Sequence, residues 1–216
     1  MIKLGLPRKE TELLHVLCLG AHADDIEIGS GGTLLNLKST LPRLRFHWVV
    51  ICTSGHRGQE AAKAAELFTA GCDKEVVLKD YRDGFLPYNA GDVKDFFEQM
   101  KGEVNPDLIF THWHGDAHQD HRLVSELTWN TFRDHLILEY EIPKYDGDLG
   151  RPSVFVPLET DICERKIQHI MEAFQSQHSK RWFQKNTFLS LLRLRGMECN
   201  APSGYAEAFY CRKLVL

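Results

Sequence analysis

The chain has 216 residues, of which 43% are hydrophobic and 26% charged, a balance that suits one soluble domain with a sizeable core. Its net charge of −4, from 26 basic and 30 acidic residues, gives no reason to expect nucleic-acid binding. No apolar run approaches the roughly 20 residues that would form an integral membrane segment; "MIKLGLPRKETELLHV" carries charges where a signal peptide needs an apolar core, so a cytoplasmic location is expected.

In chain order, "LLHVLCLGA" (13–21) reads as a buried strand, and "GGTLLNLKS" (31–39) opens a helix. "LRFHWVVICT" (44–53) is a second strand, rich in β-branched and aromatic residues. The Ala- and Glu-rich "GQEAAKAAELFTAG" (58–71) has helical spacing, with Gly71 as its stop. "KEVVLKD" is a third strand, "DVKDFFEQMKG" a helix, "PDLIFTHW" (106–113) a fourth strand and "DHRLVSELTWNTFRDH" (120–135) a further helix. Beyond residue 136, "LILEYEI" and "SVFVPL" read as short strands, "ERKIQHIMEAFQSQ" and "RWFQKNTFLSLLRLRG" as helices, and "EAFYCRKLVL" as a closing strand.

Strand–helix alternation with short links predicts an α/β, Rossmann-like three-layer fold: a mostly parallel sheet with helices on both faces. No internal repeat or long linker divides residues 1–216, so a single domain is expected. Six cysteines (Cys18, Cys52, Cys72, Cys163, Cys199 and Cys211) form no CxxC pair, which excludes zinc ribbons and thioredoxin-like sites and predicts free thiols.

Two segments carry chemistry. "GAHADDIEIGSGG" (20–32) leaves the first strand with a histidine and two adjacent carboxylates, whose repulsion a cation would relieve. "HWHGDAHQDH" follows the fourth strand. In open parallel sheets ligands bind beyond the carboxyl ends of the strands, so both segments fall on one rim. His22 and Asp25, spaced i, i+3, suit one divalent cation, and His121 at a helix start is the expected third ligand. A His–Asp–His set without thiolate fits zinc best, although iron, cobalt or manganese could occupy it. Asp24 is left beside the metal as a general base. His118, with Asp120 near enough to orient it, is the expected acid and oxyanion donor. The glycines at 29, 31 and 32 lack dinucleotide-binding spacing and read as packing residues.

"AHADDIEIGSGG" followed about ninety residues later by "GDAHQDH" resembles the LmbE/PIG-L superfamily of zinc-dependent N-acetylglucosaminyl deacetylases. The resemblance extends to "TSGHRGQEAAKAAELFTAG", "YRDG", "ERKIQHIMEAFQSQ" and "YAEAF". It implies zinc on His22, Asp25 and His121, with Asp24 as base and His118, tuned by Asp120, polarising the carbonyl. It also implies an N-acetylated sugar as substrate. Ala23 and Gln119 stand where the family usually has proline, and neither change removes a ligand. Arg57, Asp83, His114 and Glu207 are the expected substrate contacts, with Glu60 as a surface charge; homo-oligomer formation is left open.

Two rival readings exist. "THWHGDAH" approaches the THxHxDH motif of metallo-β-lactamase-like hydrolases through Thr111, His112, His114 and Asp116. That motif needs histidine where Ala117 stands, and it leaves "AHADDIE" unexplained. A non-catalytic sugar- or nucleotide-binding domain would be favoured by loss of Asp24 or His118; both are present.

Overall fold

The computed structural model describes Lys3, Gly5 and residues 12–215. Most of the leader-peptide reading, on residues 1–16, therefore falls outside the described residues, as does Leu216 of the predicted closing strand. The elements run β1 (Leu14–His22), α1 (Asp25–Thr40), β2 (Leu44–Cys52), α2 (His56–Thr69), β3 (Asp73–Leu78), α3 (Ala90–Glu103) and β4 (Leu108–His112). They continue α4 (Gln119–Thr131), β5 (Leu136–Tyr140), β6 (Val154–Pro157), α5 (Thr160–Ala173), α6 (Lys185–Glu198) and β7 (Ala206–Tyr210), with 3-10 turns at Leu86–Asn89 and Gln175–Gln177.

The strands form one sheet of order β3-β2-β1-β4-β5-β7-β6. β1 to β5 pair in parallel, and β7 runs antiparallel to both β5 and β6. The central strands are covered on both sides, which is why they read as continuous apolar runs instead of alternating ones. Alternate residues of β1 divide between two cores: Leu14, Val16 and Cys18 meet residues of α1, α2, α5 and α6, while Leu17, Leu19 and Ala21 meet those of α3 and α4. The predicted three-layer α/β architecture is what the chain adopts. All six cysteines are free thiols.

From β1 the chain steps outward to β2 and β3, then returns to β4 on the other side of β1. Strand order therefore reverses between β1 and β4, and the two motif segments leave the carboxyl ends of these neighbours.

Helix ends shift by up to four residues from the sequence reading, and two larger differences concern the first helix and the last strand. The first helix begins at Asp25, not near Gly31, because Asp24 (φ 124°) turns the chain directly out of β1. Its glycines lie inside a buried helix and permit close approach: a Cβ on Gly29 would come 2.2 Å from Tyr140, and one on Gly31 would come 2.5 Å from Phe68. The last strand ends at Tyr210, where pairing with β5 and β6 runs out.

Candidate active site

His22 ends β1, Asp24 occupies the turn, and Asp25 opens α1. Opposite them, β4 ends at His112 and a turn leads to α4, whose N-cap is His118. The His118 Nδ1 accepts the Asp120 N–H at 3.2 Å, so the cap geometry places the neutral ring's proton on Nε2. His121, on the first turn of α4, is buried against β1 and Asp25.

The three expected ligands converge. His22 Nδ1 lies 3.1 Å from His121 Nε2 and 3.4 Å from an Asp25 carboxylate oxygen, and His121 Nε2 lies 3.5 Å from the other oxygen. Zinc–nitrogen bonds of about 2.0–2.1 Å in a tetrahedron put donors roughly 3.3–3.4 Å apart, so this spacing suits a single small cation. His118 and His112 crowd the same point: His22, His118 and His121 offer ligand atoms within 4.8 Å of one another, as do Asp25, His112 and His121. Five carboxylates (Asp24, Asp25, Asp83, Asp116 and Asp120) surround these rings, and the electrostatics suit an added cation.

Carboxylates and a backbone amide also fix the ring orientations. The His121 Nδ1 bonds Asp116 at 3.0 Å, and Asp116, buried, is held in turn by Lys144 at 2.9 Å. Burial alone would raise the Asp116 pKa, but the bond and charge of His121, with His112 and Lys144, hold it well below the usual carboxylate range. The His22 Nε2 faces Asp120 and Asp83, each at 3.1 Å. Histidine ligands that present their second nitrogen to a carboxylate are the usual arrangement around a bound metal. His112 is a buried, hydrogen-bonded residue, as its strand register suggests; its Nε2 lies 3.0 Å from the Ala21 amide and 3.1 Å from Asp25.

The Asp120 side chain does not reach His118 as expected. Its carboxylate accepts from Gly84 N–H at 2.7 Å and Leu86 N–H at 3.0 Å as well as facing His22; only its backbone amide touches His118. The Asp120 carboxylate therefore orients His22, not His118. Burial lowers the His118 pKa, and positive charge on His121 and His22 lowers it further, so the ring favours its neutral form.

Asp24 is buried beside this cluster. Burial raises its pKa to about 7, with Asp25 adding and the Arg57 charge opposing. The Arg57 Nη2 lies 2.9 Å from the Asp24 carboxylate and also donates to the Ala23 carbonyl.

The other expected contacts divide. Asp83 is at the rim, with its side chain 73% exposed. Arg57 is committed to Asp24 and to Glu60 at 2.8 Å. Glu60 is correspondingly not the surface charge expected; its side chain is 13% exposed. His114 stands outside the cluster, exposed and bonded to Glu139 at 3.0 Å. Glu207 is a correction: it is buried, accepts from Gly32 N–H at 2.7 Å, Thr33 N–H at 2.6 Å and Lys166 Nζ at 2.6 Å, and has no oxygen free for a sugar. The β-lactamase-like reading falls with His114's position and with the parallel sheet. Sequence reasoning met Asp116 only within the rival motif and gave it no part beside His121; its signal was its place five residues before that histidine.

Comparison with known proteins follows the same lines. A family model described as PIG-L, GlcNAc-PI de-N-acetylase, matches residues 17–132, over half of the chain and both motif segments. The uncharacterized deacetylase YaiS of Escherichia coli (strain K12) is 28% identical over 142 residues, covering 59% of this chain and 74% of that protein. The N,N'-diacetylchitobiose deacetylase from Pyrococcus horikoshii superposes with a TM-score of 0.66 at 22% identity, covering 91% of this chain and 83% of that one. GalB, the 4-carboxy-2-hydroxymuconate hydratase from Pseudomonas putida KT2440, reaches the same TM-score of 0.66 at 17% identity, covering 94% and 98%. A shared fold therefore does not choose the reaction; the site has to.

Proposed function

The chain belongs to the GlcNAc-PI de-N-acetylase (PIG-L) family and is a metal-dependent N-deacetylase; from that premise we propose that it binds one zinc ion and removes the N-acetyl group of an amino sugar or amino-sugar conjugate. Acetate and a free amine are the products. The observation that carries the reading is the convergence of His22, Asp25 and His121 donor atoms to tetrahedral spacing at the switch point of the sheet.

His22, Asp25 and His121 would hold the ion, which when bound polarises the amide carbonyl and acidifies the attacking water. Asp24 accepts a proton from that water. Its burial makes the carboxylate a better base than an exposed aspartate, and Arg57 keeps it aimed. His118, neutral and carrying its proton on Nε2, donates a hydrogen bond to the carbonyl oxygen as negative charge builds there. The C–N bond then breaks, and the proton held by Asp24 passes to the leaving nitrogen. This differs from the sequence reading, in which His118 protonates the leaving group: a ring that accepts the Asp120 amide on Nδ1 is not the imidazolium that such a role requires. Asp83, exposed at the rim beside His22, is the side chain offered to an incoming sugar; Arg57 is already engaged with Asp24 and Glu60, and His114, bonded to Glu139, stands outside the cluster. No described helix is long and apolar enough to cross a membrane.

The test is acetate release from a panel of N-acetylhexosamine conjugates, with and without chelator. Chelator-sensitive release restored by zinc is expected. Chelator-insensitive release, or none from any N-acetyl sugar, would overturn the reading.

A further inference from the structure

Asp24 has a backbone conformation that side-chain-bearing residues rarely adopt, φ 124° and ψ −18°. Such a conformation is strained and persists only where its surroundings hold it. Besides the start of α1, where Ile28 N–H bonds the Asp24 carbonyl at 2.9 Å, the group that holds it is Arg57. One guanidinium nitrogen, Nη2, meets both the Ala23 carbonyl and the Asp24 carboxylate, so it fixes the backbone before the strained residue and the side chain on it.

Arg57 is itself gripped from elsewhere in the fold. Its Nη1 donates to Glu60 at 2.8 Å, and its guanidinium carbon lies 5.4 Å from the centre of the buried Phe174 ring. Glu60 in turn accepts the Ser176 N–H at 2.8 Å and the Ser176 hydroxyl at 2.7 Å. Ser176 sits in the 3-10 turn after α5, on a segment remote in sequence from both α2 and the Asp24 turn. Ser176 donates to Glu60, and Arg57 donates on one edge to Glu60 and, at 3.5 Å, to the Ser176 hydroxyl, and on the other to Asp24. A neutral or shorter side chain at 60 would leave Arg57 one anchor short.

We infer that Glu60, locked by Ser176, is a positioning residue for the deacetylation: it fixes Arg57, and through Arg57 the turn and carboxylate of Asp24. The inference rests on Asp24 being the base, as proposed above. It also gives Arg57 a task other than holding the sugar, and the two tasks separate kinetically: a substrate contact moves KM, whereas an aiming residue moves kcat.

The experiment compares Glu60→Gln, Arg57→Ala and the double variant as full-length, zinc-loaded proteins, measuring kcat, KM, zinc content and hydrogen exchange at the Ile28 amide. Glu60→Gln should lower kcat about 10- to 100-fold, the scale of a small misplacement of a reacting group. KM should stay within about twofold and zinc at one per chain. The double variant should be no slower than Arg57→Ala alone, because Glu60 acts through Arg57. Ile28 should exchange faster in Glu60→Gln. Multiplicative losses, a raised KM at unchanged kcat, or unchanged Ile28 exchange would each overturn the inference. Ser176→Ala, which removes only a hydroxyl, serves if Glu60→Gln does not fold; it should show the same pattern with a several-fold loss, and wild-type behaviour would count against the inference. A wild-type protein that deacetylates nothing would defeat the functional reading, while the exchange measurement would still decide whether the clamp exists.

Discussion

Replacing Glu207 by alanine removes the acceptor shared by Lys166 and two amides of α1. The carboxylate is 3% exposed and receives Gly32 N–H, Thr33 N–H and Lys166 Nζ, all at 2.6–2.7 Å. Lys166, 2% exposed, would keep only the Ile28 carbonyl at 2.7 Å. Removing one partner of a buried pair costs about 3–5 kcal/mol, because the other charge stays buried and uncompensated. A chain of this size loses roughly 2–4 °C of melting temperature per kcal/mol, so the variant should melt about 6–20 °C lower. The assay is thermal unfolding of the zinc-loaded and zinc-free protein, with KM measured on the folded fraction. Lys166→Met combined with Glu207→Leu should recover much of the loss, since no charge is then stranded. A Glu207→Ala protein that melts within about 2 °C of wild type yet shows a raised KM would refute this reasoning and restore Glu207 as a sugar contact.

Other outcomes follow from the same geometry. His121→Ala should lose stoichiometric zinc by metal analysis, and Asp24→Asn should retain it while losing about 10²–10⁴-fold in kcat. Gly29→Ala should destabilise the fold, seen as a lower denaturant midpoint, because its Cβ would overlap Tyr140. Burial would raise the Glu60 pKa, but the Ser176 N–H and hydroxyl and Arg57 bring it below the usual range. Its folded pKa thus lies under the unfolded value of about 4.3, so its contribution is present above that pH and lost as pH falls through the folded value. Glu60→Gln should therefore show a shallower loss of stability than wild type on acidification below about pH 4.3.

Much was readable from sequence because it is local. Apolar runs bounded by turns placed β1, β2 and β4, since strands covered on both faces need no alternation. The His22–Asp25 pair and the His118–His121 segment could be assigned to one rim because a parallel sheet puts all its carboxyl ends on the same edge. What lay beyond reach depended on which distant side chain meets which. Glu60 looked like a surface charge because helical spacing is silent about Ser176, more than a hundred residues away, until α2 and α5 pack. Glu207 looked like a rim carboxylate because nothing near it in the chain announces Lys166 or the amides of Gly32 and Thr33. Asp120 sits two residues from His118, yet its carboxylate is drawn to His22 and the Gly84 turn, where three donors outbid one neighbour. Residue types and spacing determined which chemistry this chain could host; tertiary packing alone decided which carboxylates face the histidine cluster and which are tied up in the fold, because a buried charge takes its role from the partners that surround it in space.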